Sequence, residues 1–264
     1  MKKKKFSYIE KKTALANRIT SHKKFSNFDL HLWIKKNIKI KNGDSILDIG
    51  CGDGNFIKLF HQMNRGGEII GVDKNYALIN SAKKKFKLNR NIKFIKGDFD
   101  TTKFNKKKFD WIFFIYSIYY TENSSKLILK VLNYLNEKGK LIIVGPGANN
   151  AKQIDRLNFL VTKKRPNREY RFRQQRIEKE FYPLLKKHFG SKKVKLKLIN
   201  NHMAFRTDIQ LADYYWSTLL WRQSLQKLRN YDLKKLKELT IKKIKYYINN
   251  LKLKKQISIL TLKK

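Results

Sequence analysis

The sequence predicts an α/β protein, a mostly parallel sheet with helices on both faces. Three observations carry that expectation. Short apolar runs recur at 46–49, 69–72, 92–95, 109–114 and 140–146, each too short for a helix and several closing at a carboxylate. Between them lie stretches whose apolar residues repeat at helical spacing. The first run is followed by glycines at alternate positions, Gly50, Gly52 and Gly54. Glycine accepts positive φ and lets a ligand approach the backbone, so this reads as a tight turn from strand to helix. Strands that alternate with helices pair in parallel through right-handed crossovers. Ligands of open α/β sheets bind beyond the carboxyl ends of such strands.

Taken in order, residues 6–38 precede the first strand. Positions 8–19 look helical, and Asn27 is placed to cap a second helix at 28–36. His22, His31 and Trp33 lie here and read as packing or surface residues. The first strand carries Asp48 and leads through the glycines into a helix at 56–62. The second strand closes at Asp73 and is followed by a helix at 76–86. The third closes at Asp98-Phe99. The fourth, 109–114, runs into Phe114-Ile115-Tyr116-Ser117-Ile118-Tyr119-Tyr120. A helix at 124–135 shows Leu127, Ile128, Val131, Leu132 and Leu135 at helical spacing. The turn Asn136-Glu137-Lys138-Gly139 then introduces the fifth strand.

Beyond residue 146 the pattern changes. Gly147-Ala148-Asn149-Asn150 opens a polar stretch, and 163–173 is densely basic with Tyr170 and Phe172 among the arginines. A helix is expected at 177–189, an alternating edge strand at 194–199, a Tyr/Trp-rich helix at 212–221, a basic amphipathic helix at 233–251 and a last strand at 256–262. No repeat and no Pro/Gly/Ser linker divides the chain, so one domain is expected.

The run Asp48-x-Gly50-x-Gly52-x-Gly54 differs from the GxGxxG of NAD-binding proteins, whose last gap is two residues. Together with Asp73, Asp98 and Gly139 in that order, it resembles the class I S-adenosylmethionine (SAM)-dependent methyltransferases, small-molecule type. The resemblance implies a Rossmann-like seven-stranded sheet whose closing strand inserts antiparallel between the fifth and sixth. It divides the domain into an N-terminal helical cap (1–39), a SAM-binding core (40–146) and a basic substrate-side region (147–264), with the helices at 208–251 as a lid. It implies SAM as cofactor, with the loop of Gly50, Gly52 and Gly54 near its amino-acid end. Asp48 would bond the amino group directly or through water, Asp73 the ribose hydroxyls and Asp98 the adenine amine, while Phe99 would pack on the adenine ring. Cys51, between two of these glycines, reads as a small buried residue.

Composition bounds the rest. One cysteine excludes an intramolecular disulfide and a cysteine-based zinc framework, and no metal is expected. No apolar run approaches the roughly 18 residues of a membrane span. The opening Met1-Lys2-Lys3-Lys4-Lys5 has no apolar run after it, so a cytoplasmic location is expected. The net charge of +42, from 62 Lys+Arg against 20 Asp+Glu, would suit a nucleic acid. The lysines are spread from end to end, however, among abundant Asn and Ile, and a compositional origin is favoured.

For the acceptor, the segment after strand four lacks both the Asn/Asp-Pro-Pro-aromatic sequence of nucleobase-amine methyltransferases and the Pro-Cys of RNA cytosine enzymes. Tyr119-Tyr120 stand where small-molecule enzymes often pair a histidine, which leaves the base undefined. Tyr116 and His202 are the candidate catalytic residues, and Tyr119, Asn149 and Asn150 the candidate acceptor contacts, with Tyr8 or Trp33 on the roof. The expected function is methyl transfer to oxygen or nitrogen of a small or medium acceptor, an acidic or glycan-linked one suiting 163–173. The alternatives are an RNA methyltransferase, a non-catalytic SAM-binding protein, and an enzyme acting on a lipid or quinone at a membrane through 233–251. Nucleic acid is not favoured as a partner, and the sequence leaves the oligomeric state open.

Overall fold

A computed structural model describes residues 12–104, 108–118, 124–166 and 168–264. Seven strands form one sheet: β1 Ile46–Ile49, β2 Ile69–Asp73, β3 Ile92–Lys96, β4 Phe109–Ile115, β5 Leu135–Pro146, β6 Val194–Ala204 and β7 Lys252–Lys263. Their order is β3-β2-β1-β4-β5-β7-β6, with β7 antiparallel to both neighbours and β1 to β5 parallel. The closing strand thus lies between the fifth and sixth, as the resemblance implied.

Period-two alternation sorts the strand side chains onto two faces. Leu47, Ile49, Ile112, Phe114, Leu141, Ile143 and Leu260 meet α5 (Ser124–Asn133) and α8 (Tyr182–Phe189). Ile46, Trp111, Phe113, Ile115, Ile142, Val144, Ile257 and Ile259 meet α2 (Leu30–Asn37), α3 (Asn55–Met63) and Ile79 of α4 (Tyr76–Lys85). Buried on both faces, β1 reads as a continuous apolar run interrupted only by Asp48.

A third core lies beyond the carboxyl edge of the sheet. There α6 (Lys152–Thr162), α9 (Asp208–Ser217), α10 (Leu219–Leu225) and α11 (Leu233–Tyr247) enclose Met203 at the end of β6 and Leu253 at the start of β7. Helix α1 (Lys12–Phe25) lies against α9. The apolar side of α11, including Ile244 and the following Ile248, is buried in this core. The amphipathic face that suggested a membrane surface is therefore covered by the protein itself. Among the described residues no helix is long and apolar enough to cross a membrane.

The differences from the sequence reading have local causes. The stretch after 150 is helical: Ala151 enters α6 through the left-handed region (φ 50°), and α7 (Arg168–Arg176) follows. The expected 212–221 helix is two helices, because Thr218 is extended (ψ 153°), its hydroxyl donating to the Tyr215 carbonyl and accepting from the Trp221 amide. The expected 177–189 helix starts with a π-helical turn, Ile177–Phe181. The second helix is capped by Asp29, which accepts from the amides of His31 and Leu32, while Asn27 pairs instead with the backbone of His202.

Candidate active site

The carboxyl ends of β1, β2 and β4 converge on the glycine loop. Gly50, Gly52 and Gly54 all have positive φ (77°, 58° and 83°), which is why no other residue type fits here without strain. Space adds a second demand at two of them. A Cβ on Gly50 would lie 2.2 Å from the Cβ of Ser117, and one on Gly54 2.8 Å from the Phe86 ring. The Ser117 hydroxyl donates to the Ile49 carbonyl and ties the end of β4 to that of β1. Gly52 is open by contrast, with only Leu15 of α1 within 4 Å.

Two carboxylates flank the loop. Asp73 at the end of β2 accepts from the Gly52 amide (2.9 Å) and the Asn75 amide (2.8 Å), fixing the loop to the second strand. Asp48 is 2% exposed and receives no hydrogen bond from any described residue. Burial, and then the neighbouring charge of Asp73, push its carboxyl up to about 8. An acid so placed waits for a cation or a donor, since burial without a partner disfavours its charged form. The Cys51 thiol beside it is buried, as expected, and burial first and then both carboxylates push it up.

The third acid and its neighbour divide. Asp98 is exposed and accepts from the Asp100 amide (3.0 Å), so its carboxylate is available at the surface end of β3. Phe99 turns into the core against Phe104 and Phe114, with Lys130 over its ring. It is 7% exposed, so the packing on an adenine that the resemblance implied would need its side chain to turn outward.

Tyr116 follows β4 in the left-handed conformation (φ 55°), its amide held by the Val144 carbonyl (2.8 Å). This backbone costs a non-glycine residue about 1–2 kcal/mol, and it breaks the strand alternation that would have set the ring's direction. Tyr116 is 36% exposed and lies near Tyr214.

Around Tyr214 the structure assembles residues the sequence reading passed over. Lys255, 8% exposed, donates to the Tyr214 hydroxyl (2.8 Å). His22 meets the Tyr214 ring edge-on at 5.8 Å, and burial, then Lys255 and Arg18, push the imidazole down to about 3, so it stays neutral. Arg18 donates to the Ser217 carbonyl. Leu15, Arg18 and His22 are spaced i, i+3 and i+7 on α1, one face of the helix, so α1 roofs both the glycine loop and Tyr214. A signal for Lys255 was present: it takes the core-facing place in Leu253-x-Lys255-x-Ile257-x-Ile259.

The remaining candidates fall elsewhere. His202 pairs in register with Lys254 and so lies on the sheet face opposite Lys255. The Asn150 side chain accepts from the Gln256 amide (3.3 Å), and the exposed Asn149 donates its amide to the Gln256 side chain (3.0 Å). Both brace β7. Trp33 lies beside Lys197 of the edge strand β6. Glu178 of the π turn bonds Ser258 and the Ala148 amide, so the basic 163–173 segment leads to the sheet face opposite Lys255. Tyr8 and Tyr119 lie outside the described residues. No group of His, Cys, Asp and Glu among the described residues could hold a metal ion.

A family profile described as a methyltransferase domain matches residues 40–188, more than half of the chain. The chain belongs to this family. The methyltransferase is 27% identical over 113 residues to a demethylmenaquinone methyltransferase of Lactobacillus johnsonii, covering 41% of this chain and 46% of that protein. It is 26% identical over 109 residues to a malonyl-[acyl-carrier protein] O-methyltransferase of Legionella pneumophila, covering 41% and 38%. It thus matches less than half the length of these curated relatives. A SAM-dependent methyltransferase of Geobacter sulfurreducens, solved with S-adenosylhomocysteine, shares the fold over 97% of this chain and 100% of that one (TM-score 0.55, 13% identity).

Proposed function

We propose that this methyltransferase uses SAM to methylate an oxygen or nitrogen of a small or medium-sized acceptor. One observation carries the reading: a buried Asp48 without a hydrogen bond from the described residues, beside Asp73, at a glycine loop whose central residue is open. SAM bears an ammonium, a sulfonium and a ribose diol, and two adjacent carboxylates fit that set of donors and charges. Asp48 would take the ammonium. Asp73, at the end of β2 beside the loop, would take the ribose hydroxyls. Asp98 would serve the adenine amine. When bound, the cofactor supplies an activated methyl, so the protein's task is to position the acceptor and exclude water. Helix α1 covers the site, and Tyr116, just after β4, would orient an acceptor.

Calorimetry with S-adenosylhomocysteine tests the reading. The wild type should bind, and Asp73→Ala should weaken binding by about 1.5–3 kcal/mol, the scale of hydrogen bonds involving a charged group. Tyr116→Phe should bind within about threefold of wild type, roughly 0.7 kcal/mol, while slowing transfer of labelled methyl into a metabolite extract. A folded wild type that binds neither SAM nor its product would refute the proposal.

A further inference from the structure

We propose that the acceptor is a carboxylic acid, held as its carboxylate by Lys255 and the Tyr214 hydroxyl beneath α1, so that the product is a methyl ester. This rests on the methyltransferase reading and names the substrate class of the same site.

Lys255 is buried, and no described carboxylate pairs with it; its hydrogen bond goes to a neutral phenol. Removing an ammonium from water costs several kcal/mol unless an anion compensates. Elsewhere the chain follows the ordinary rule: its buried Arg176 is paired with Glu180 at 2.8 Å. Arg18 of α1 donates to the Ser217 carbonyl and, like Lys255, acts on His22.

Position makes the missing anion an acceptor. Tyr214 neighbours Tyr116, and Tyr116 is joined through Ser117 to the glycine loop. The same helix face carries Leu15 over that loop and His22 over Tyr214. An anion on Lys255 would thus lie under the roof that covers the cofactor loop.

The chemistry agrees with a group that arrives ionised. Neutral alcohol or ammonium acceptors need a base, and the cluster offers a lysine, an arginine, phenols and an imidazole too weakly basic to take a proton at neutral pH. A carboxylate needs none. Its oxygen lone pair forms the new bond to the methyl carbon, the carbon–sulfur bond breaks, and its electron pair stays on the sulfur of the sulfonium donor. No proton is released. Lys255 and Tyr214 position the carboxylate by one oxygen and leave the other to attack.

The test uses the full chain loaded with S-adenosylhomocysteine and three acids, acetate, benzoate and octanoate, each against its primary amide. Binding is read by calorimetry at about 0.15 M salt, where exposed charges are screened beyond about 8 Å. At least one acid should bind about tenfold or more tightly than its amide, and Lys255→Met should abolish that preference. Tyr214→Phe, which keeps the ring, should weaken the acid about threefold or more, and it decides the matter if Lys255→Met does not fold. A chain with 62 basic residues attracts anions generally, so an acid preference that survives both substitutions belongs to the surface and overturns the proposal. Absence of any preference for an acid over its amide overturns it as well. Product binding by the same samples reports on the methyltransferase reading separately, because neither substitution touches Asp48 or Asp73.

Discussion

At the scale of single residues, Asp48 couples ligand binding to stability. Its carboxyl is pushed up to about 8 in the folded chain from an unfolded value near 4, so its contribution to stability is complete at low pH and is lost as pH rises through 8. His22, pushed down to about 3, works in the opposite sense: its contribution is present above about 6.5 and lost as pH falls. Between roughly pH 6.5 and 8 the Asp48 slope stands alone of the two, at about 1.4 kcal/mol per pH unit. Asp48→Asn should therefore be more stable than wild type at pH 8, by about 2 kcal/mol more than at pH 6.5. Parallel thermal melts across that range measure it. The same variant should bind S-adenosylhomocysteine at least about tenfold more weakly. Asp48 was legible from its place before the glycines. Lys255 was obscured because, in so lysine-rich a sequence, only its place in the β7 alternation distinguishes it.

At the scale of elements, legibility followed the strength of the repeating pattern. The strands were read because buried parallel strands are continuous apolar runs with sharp ends, while the antiparallel insertion of the last one came from the resemblance alone. Helices α6 and α7 were not, since arginine, lysine and asparagine interrupt their apolar positions and the entry through Ala151 has no capping side chain. The break at Thr218 depends on one hydroxyl that bonds in both directions, which no periodicity reveals. Helix α1 was foreseen as a roof, yet Ser21 is its one residue buried outright among those described. Its stability comes mostly from partial contacts, so it should open locally well below the global unfolding free energy. Hydrogen exchange should show α1 amides exchanging faster than those of α3, which buries Ile57, Leu59 and Phe60. Saturating S-adenosylhomocysteine should slow α1 selectively, and unchanged α1 exchange would deny it the roofing role.

At the scale of the whole molecule, +42 charges repel one another across the surface. Salt shortens the reach of that repulsion to about 8 Å at physiological strength, so the melting temperature should rise as salt is raised from about 0.02 to 0.3 M, the reverse of a fold held by surface ion pairs. Differential scanning fluorimetry checks the sign. The same screening should leave binding to random-sequence RNA weak at about 0.15 M salt. The interior place of β7 has a further consequence, for synthesis. The strand that fills the gap between β5 and β6 is made after both. At about 5–20 residues per second, the edge of β5 stays open on the ribosome for on the order of ten seconds. Until residues 252–263 emerge, the nascent chain has its cofactor loop but a split sheet and no Lys255. Chains broken off before that point would carry an unpaired apolar edge, the kind of surface that chaperones and proteases find, and would be cleared without ever having held an acceptor.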